Sequence, residues 1–228
     1  MGRHTSGLRR LPPLGWLTAA VMAAALLALA PVAPISADAD TGLSSTVISH
    51  ALPGMVEAPA GPLNGPITPS ELTSILGDSG PASALSQGIA SGDVSAYLRA
   101  WSNQPSNGAF VEVIATQLPS LADASSALAG ADHAVTGIHF GHFPVAEIPH
   151  AIGVTLVTNS QLGVVSEMIV QFAKGTDIFD VVVGQVTTAA NSGAPVLSEP
   201  DVIQIARQQA ARAAGPVIGP TLPNGGRN

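Results

Sequence analysis

Residues 110–187 of this 228-residue chain repeat one pattern, β-branched and aromatic runs cut by turn residues, and no other feature narrows the fold as far. Residues 110–118, 135–143, 153–158, 164–172 and 178–187 read as strands, because such side chains pack well on a pleated surface. Residues 159–163 and Lys174-Gly175-Thr176 have the length and turn chemistry of hairpin connections. The later strands should therefore run antiparallel to one another.

Helix starts are marked on both sides of these runs. Thr68-Pro69-Ser70-Glu71 offers a capping hydroxyl, a proline at the first helical position and a carboxylate at the third, and Gly77 ends that short helix. Gly92-Asp93 reads as opening a second helix, with Val94, Tyr97, Leu98 and Trp101 along one apolar stripe. Ser120-Leu121-Ala122-Asp123 opens an Ala-rich third helix to about Ala131, with Ala124, Ala127, Leu128 and Ala131 on one side. Ser198-Glu199-Pro200-Asp201 starts the last. Val202, Ile203, Ala206 and Ala210 face inward, Arg207 and Arg212 lie toward the negative dipole end, and Gly215-Pro216 closes it. Grouped strands flanked by helices predict an α+β fold: an antiparallel sheet of about four to five strands with helices packed mainly on one face.

In the last two strands both alternating faces are apolar, whereas a sheet with one wet face should alternate cleanly. A helix or a Pro-rich segment covering the second face is the plainer explanation. The functional one is an apolar groove, in which Val165, Ile169, Val182 and Val186 would line a ligand site.

Residues 1–39 read as a secretory signal peptide. Arg3, Arg9 and Arg10 stand without an acid, an apolar run follows from Trp16 to Ala30, and Ala37-Asp38-Ala39 supplies the cleavage site, with the cut after Ala39 or, alternatively, Ala37. A retained membrane anchor is the rival reading. The apolar run falls short of the ~20 residues a membrane helix needs, and Pro31 and Pro34 end it. Residues 40–67, rich in Pro and Gly without apolar period, read as a spacer, 68–214 as a single domain and 215–228 as a flexible tail. The chain has no cysteine, hence no lipid attachment by that route and no disulfide.

Beyond Ala39 five basic residues face fourteen acidic ones, a formal charge of −9. Neutralising phosphates drives nucleic-acid binding, so that class is excluded, and attraction to an anionic membrane surface is opposed for the same reason. Contact with a membrane is left to an uncleaved N-terminus.

Chemistry-bearing clusters are few. His133, His139, His142 and His150 fall within eighteen residues, near Asp132 and Glu147. Imidazole and carboxylate together suit zinc, and His139, His142, His150 and Glu147 form the candidate set. On a straight strand His139 and His142 point to opposite faces, and only a bulge at Gly141 would unite them. Gly77-Asp78-Ser79-Gly80-Pro81 looks like a serine-protease nucleophile loop, yet between the export segment and this loop only His50 stands upstream to serve it, and a glycine turn explains it as well. Asp177, Asp180 and Glu167 could converge as paired carboxylates for glycosidase-like acid–base work, and solvated edge charges that protect the sheet explain them as well. No G-x-S-x-G, P-loop, G-x-G-x-x-G or H-E-x-x-H occurs, and no cofactor is implied.

The phrases "YLRAW" (97–101), "VEVIATQL" (111–118), "AEIPHAIG" (146–153), "MIVQFAKG", "FDVVVGQV" and "ARQQAARAA" over 68–214, in an Ala-, Gly- and Pro-rich chain, resemble secreted and lipoprotein domains of actinobacterial cell envelopes. The order of elements is similar to that of PsbP-like and receptor-kinase sensor domains, which often carry cysteines that this chain lacks. The resemblance implies a secreted or envelope-located, non-catalytic domain that binds a hydrophobic small molecule, a lipid or an envelope protein. An extracytoplasmic enzyme assisted by metal at the histidines is the alternative, and a membrane-tethered interaction protein is another.

Overall fold

The computed structural model describes residues 42–71, 80–103, 108–136, 141–160, 163–188 and 197–219. Residues 1–39, the helix run to Gly77 beyond Glu71, the Ser79 loop and the tail from 220 onward, on which expectations fall, lie outside them. No helix among the described residues is long and apolar enough to cross a membrane.

In chain order the elements are α1 (Leu43–Thr46), β1 (Val56–Glu57), β2 (Asn64–Pro66), α2 (Gly80–Ser91), β3 (Ser95–Ser102), β4 (Ala109–Gln117) and α3 (Leu121–Thr136). There follow β5 (Gly141–Phe143), β6 (Ile152–Ser160), β7 (Gly163–Lys174), β8 (Asp177–Thr187), α4 (Glu199–Arg212) and β9 (Val217–Ile218). The strands form one antiparallel sheet in the order β1-β3-β4-β8-β7-β6-β5, with β2 also on β3 and β9 on β7. The α+β class holds, but among the described residues the sheet has nine strands rather than four to five.

Helices cover both faces, not mainly one. On the first face Val111, Val113, Phe172, Phe179, Val181 and Val183 pack with Val202, Ile205 and Ala206 of α4 and with Leu43, Val47 and Ile48. On the second, Ala96, Leu98, Ala173 and Ile178 pack with Leu85 of α2 and with Ala124, Ala127 and Leu128 of α3. A two-sided cover is why the strands read apolar on both faces.

The expected second helix is a strand. Tyr97, Arg99 and Trp101 of β3 pair with Ala115, Val113 and Val111 on the first face, while Ala96, Leu98 and Ala100 take the second. A strand buried on both sides satisfies helical spacing by accident, so periodicity cannot arbitrate. Gly92, at φ 78°, stops α2 instead of opening a helix: its N–H donates to Ile89 O at 3.1 Å, and those of Asp93 and Val94 to Gly88 O at 3.0 Å. Of the predicted strand 135–143, residues 135 and 136 belong to the Ala-rich α3, 141–143 form β5, and 137–140 lie outside the described residues. The other capping signals hold: Glu71 Oε2 accepts from Thr68 N at 2.8 Å, Ser120 Oγ from Asp123 N at 3.2 Å, and Asp201 Oδ2 from Ser198 N at 2.7 Å.

The stretch 40–67, read as spacer, supplies α1, two strands and four core side chains, Leu43, Val47, Ile48 and Ile67. At the other end, Val217 and Ile218 of the presumed tail pair with β7.

Candidate functional site

Residues 42–55 form a strap fastened to the first face by side chains from distant parts of the chain. Gln209, fully buried on α4, accepts from Ile48 N through Oε1 at 3.0 Å and donates from Nε2 to Thr46 O at 2.8 Å. Arg212 Nε donates to Ser45 O at 2.9 Å, and Arg99 Nη1 to Ile48 O at 2.9 Å. A proline- and glycine-containing segment without its own ladder needs such partners, since buried backbone groups left unpaired are costly.

Between the strap, the edge of β3 and α4 lies a cleft of about 440 Å³. Leu52, Met55 and Trp101 give it an apolar floor, Ser49 and His50 one wall, Gln204 and Gln208 the other. Residues i and i+4 share one helix face, which sets both amides toward the cleft. Glu57 closes one end. Its Oε1 lies 3.2 Å from Arg99 Nε and accepts from Asn64 Nδ2 at 2.9 Å, and Asn64 Oδ1 accepts from Tyr97 Oη at 3.0 Å. The Arg99 guanidinium also stands over the Tyr97 ring, 5.6 Å from its centre. A second cavity, about 200 Å³, opens near the start of α4, where Thr155, Val157, Met168, Leu197 and Glu167 are among the residues that line it. Val157, on its rim, is 67 % exposed.

The second face holds the unusual electrostatics. Glu112 and Glu167 lie diagonally across β8, opposite Val182 and Gly184, and are 0 % and 2 % exposed. Among the described residues none of their four carboxyl oxygens has a hydrogen-bond partner. The Phe110 ring lies over Gly184, where a Cβ would overlap it. Burial, and after it the charge of Glu167, pushes Glu112 well above the usual carboxylate range, and burial pushes Glu167 up to about 8. Asp180 is pushed up to about 7 by burial, against a bond from Gln171 Nε2 at 2.6 Å that lowers it. Burial thus favours the protonated form of Glu112 and Glu167 at neutral pH and draws Asp180 toward it. The expectation of solvated edge charges at Asp180 and Glu167 is overturned, while Asp177, half-buried at the β7–β8 turn, accepts from Gln117 and Thr176.

Val165, Ile169 and Val182 are buried, with Phe110 and Val154, in one cluster of the second face, and Val186 packs against it. Neither cavity draws on any of the four. Of the proposed metal ligands, His139 lies outside the described residues. His142 is exposed on β5, where Gly141, His142 and Phe143 pair in unbroken register with Thr155, Val154 and Gly153, so no bulge forms there. Glu147 and His150 are exposed in the following loop, with His150 at φ 62°. His133 falls on α3. The described residues hold no group of three or more His, Cys, Asp or Glu placed to bind a metal ion.

Sequence reasoning missed the cleft. Trp101 stood in a presumed helix, Glu57 and His50 in a presumed spacer, and Gln204 and Gln208 on the outer face of α4. Glu112 carried a usable signal: an acid sharing its strand face with Phe110 and Ile114. No known family profile matches this chain, and no curated protein matches it either.

Proposed function

We propose that this chain is an exported, non-catalytic binding domain whose ligand occupies the cleft between the strap and α4. The cleft itself carries the reading. At about 440 Å³ it falls within the ~300–1,000 Å³ of small-molecule sites, and it joins an apolar floor to a few convergent hydrogen-bonding side chains. Those side chains are amides, a hydroxyl and an imidazole, groups suited to holding a ligand. The buried acids with displaced proton affinities are placed on the opposite face. Export is supported by the three-part pattern of residues 1–39.

Native mass spectrometry of protein taken from its own source tests the reading. Wild-type protein should carry a bound species that the Gln204→Ala/Gln208→Ala variant lacks. Both positions are exposed, so the variant should fold as wild type does. Bare wild-type protein, or a species that the variant keeps in full, would overturn it.

A second reading, an aliphatic ligand, is favoured by the smaller cavity alone, with Leu197, Met168 and the exposed Val157 around it. Leu197→Trp would fill that space and should then displace a bound chain.

A further inference from the structure

We propose that the ligand of the strap–α4 cleft is an uncharged, hydroxyl-rich molecule of the saccharide class, an inference that rests on the binding reading above. The argument begins with hydrogen-bond type. Each glutamine amide presents two donors and an acceptor with two lone pairs, and a serine hydroxyl is likewise both donor and acceptor. Gln204 and Gln208, one turn apart on α4, face Ser49 and His50 across the cleft. Such a lining matches partners that also donate and accept at the same atom, as sugar hydroxyls do. A carboxylate or phosphate only accepts, and an ammonium only donates.

Charge points the same way. The one carboxylate on the lining, Glu57, has its Oε1 held by Arg99 Nε at 3.2 Å and Asn64 Nδ2 at 2.9 Å. An anionic ligand meets that carboxylate, and a cationic ligand must compete with an arginine that is itself pinned to Ile48 O. The half-buried Met55 and Leu52, backed by the buried Trp101, offer apolar surface to the C–H face of a pyranose ring. Extended or helical peptides are recognised at open strand edges or in apolar grooves, and a floor ringed by neutral polar groups suits them less.

The test is a glycan array followed by titration of the best neutral oligosaccharide into the full chain, with a neutral tetrapeptide and decanoate as competing probes. The wild type should retain at least one neutral glycan, and Gln204→Ala/Gln208→Ala should weaken it about tenfold, the loss of two modest hydrogen bonds. Raising salt from about 50 to about 500 mM should leave the affinity unchanged, because no net charge is matched. An array without a retained glycan, a steep salt dependence, or preference for the tetrapeptide or decanoate overturns the inference. If the species found by native mass spectrometry is lost in the double variant but is not a saccharide, the ligand class fails and the binding site stands. If the double variant loses nothing, both fail.

Discussion

Both faces of the sheet are buried, yet they solve burial differently. On the first face Phe172 and Phe179 stack at 5.4 Å beneath Val202, Ile205 and Ala206, Arg99 Nη1, Tyr97 and Gln209 end on named hydrogen-bond partners, and Arg99 Nε meets Glu57 only as an ion pair at 3.2 Å. On the second, Glu112 and Glu167 lie in the interior with no partner among the described residues for any carboxyl oxygen. An ionised carboxylate cannot stay in such a place at acceptable cost, so the second face persists by keeping these two acids protonated. The larger cleft opens on the first face, whereas Glu167 and Gly184 of the second face are among the residues that line the smaller cavity. The second face is stabilised conditionally.

The largest effect should come from breaking the first face. Phe172→Ala or Phe179→Ala removes a fully buried ring and should cost about 3–5 kcal/mol in chemical denaturation, at any pH between 5 and 8. The contrast between faces is sharpened by the next. Glu167, with its folded pKa raised from 4.5 to about 8, binds a proton that the unfolded chain has already released between those values. Stability from this group is therefore full below about pH 4.5 and is lost as pH rises toward 8, on the order of 4 kcal/mol. Glu112 and Asp180, also raised, act in the same direction. Glu167→Gln should match wild type near pH 4 and exceed it near pH 8. An unfolding free energy of wild type that stays level across this window would show the acids to be paired or solvated.

How far the sequence led can be judged on the same two faces. Strands β4, β7 and β8 and the caps at Thr68, Ser120 and Ser198 were legible, because β-branched runs and Ser/Thr-x-x-Asp/Glu spacing act locally. Strand β3 was not, since an element buried on both sides loses the period that identifies it. The strap was not legible either. Nothing near Thr46 and Ile48 announces that a glutamine 161 residues away from Ile48 will take up its backbone N–H. The cleft inherits that opacity, being built from the strap and the outer face of α4.

Smaller effects refine the comparison. Gln209→Leu leaves the Ile48 N–H and Thr46 carbonyl unpaired and should cost about 1–3 kcal/mol, with faster hydrogen exchange at Ile48 while the β7–β8 ladder is unchanged. Lys174 Nζ donates to Ala210 O at 2.7 Å and Ala213 O at 2.8 Å, holding the C-terminus of α4 onto β7. Lys174→Met should lower the thermal midpoint by the equivalent of about 0.5–1 kcal/mol.

Hydrogen–deuterium exchange on protein as isolated from its own source, against the same protein stripped of bound species by unfolding and refolding, asks directly which face works. Protection by the ligand should map to residues 49–57 and to α4 around Gln204 and Gln208, and leave Glu112 and Glu167 on the second face untouched. Protection centred instead on β4 and β7 at Glu112 and Glu167 would contradict the account.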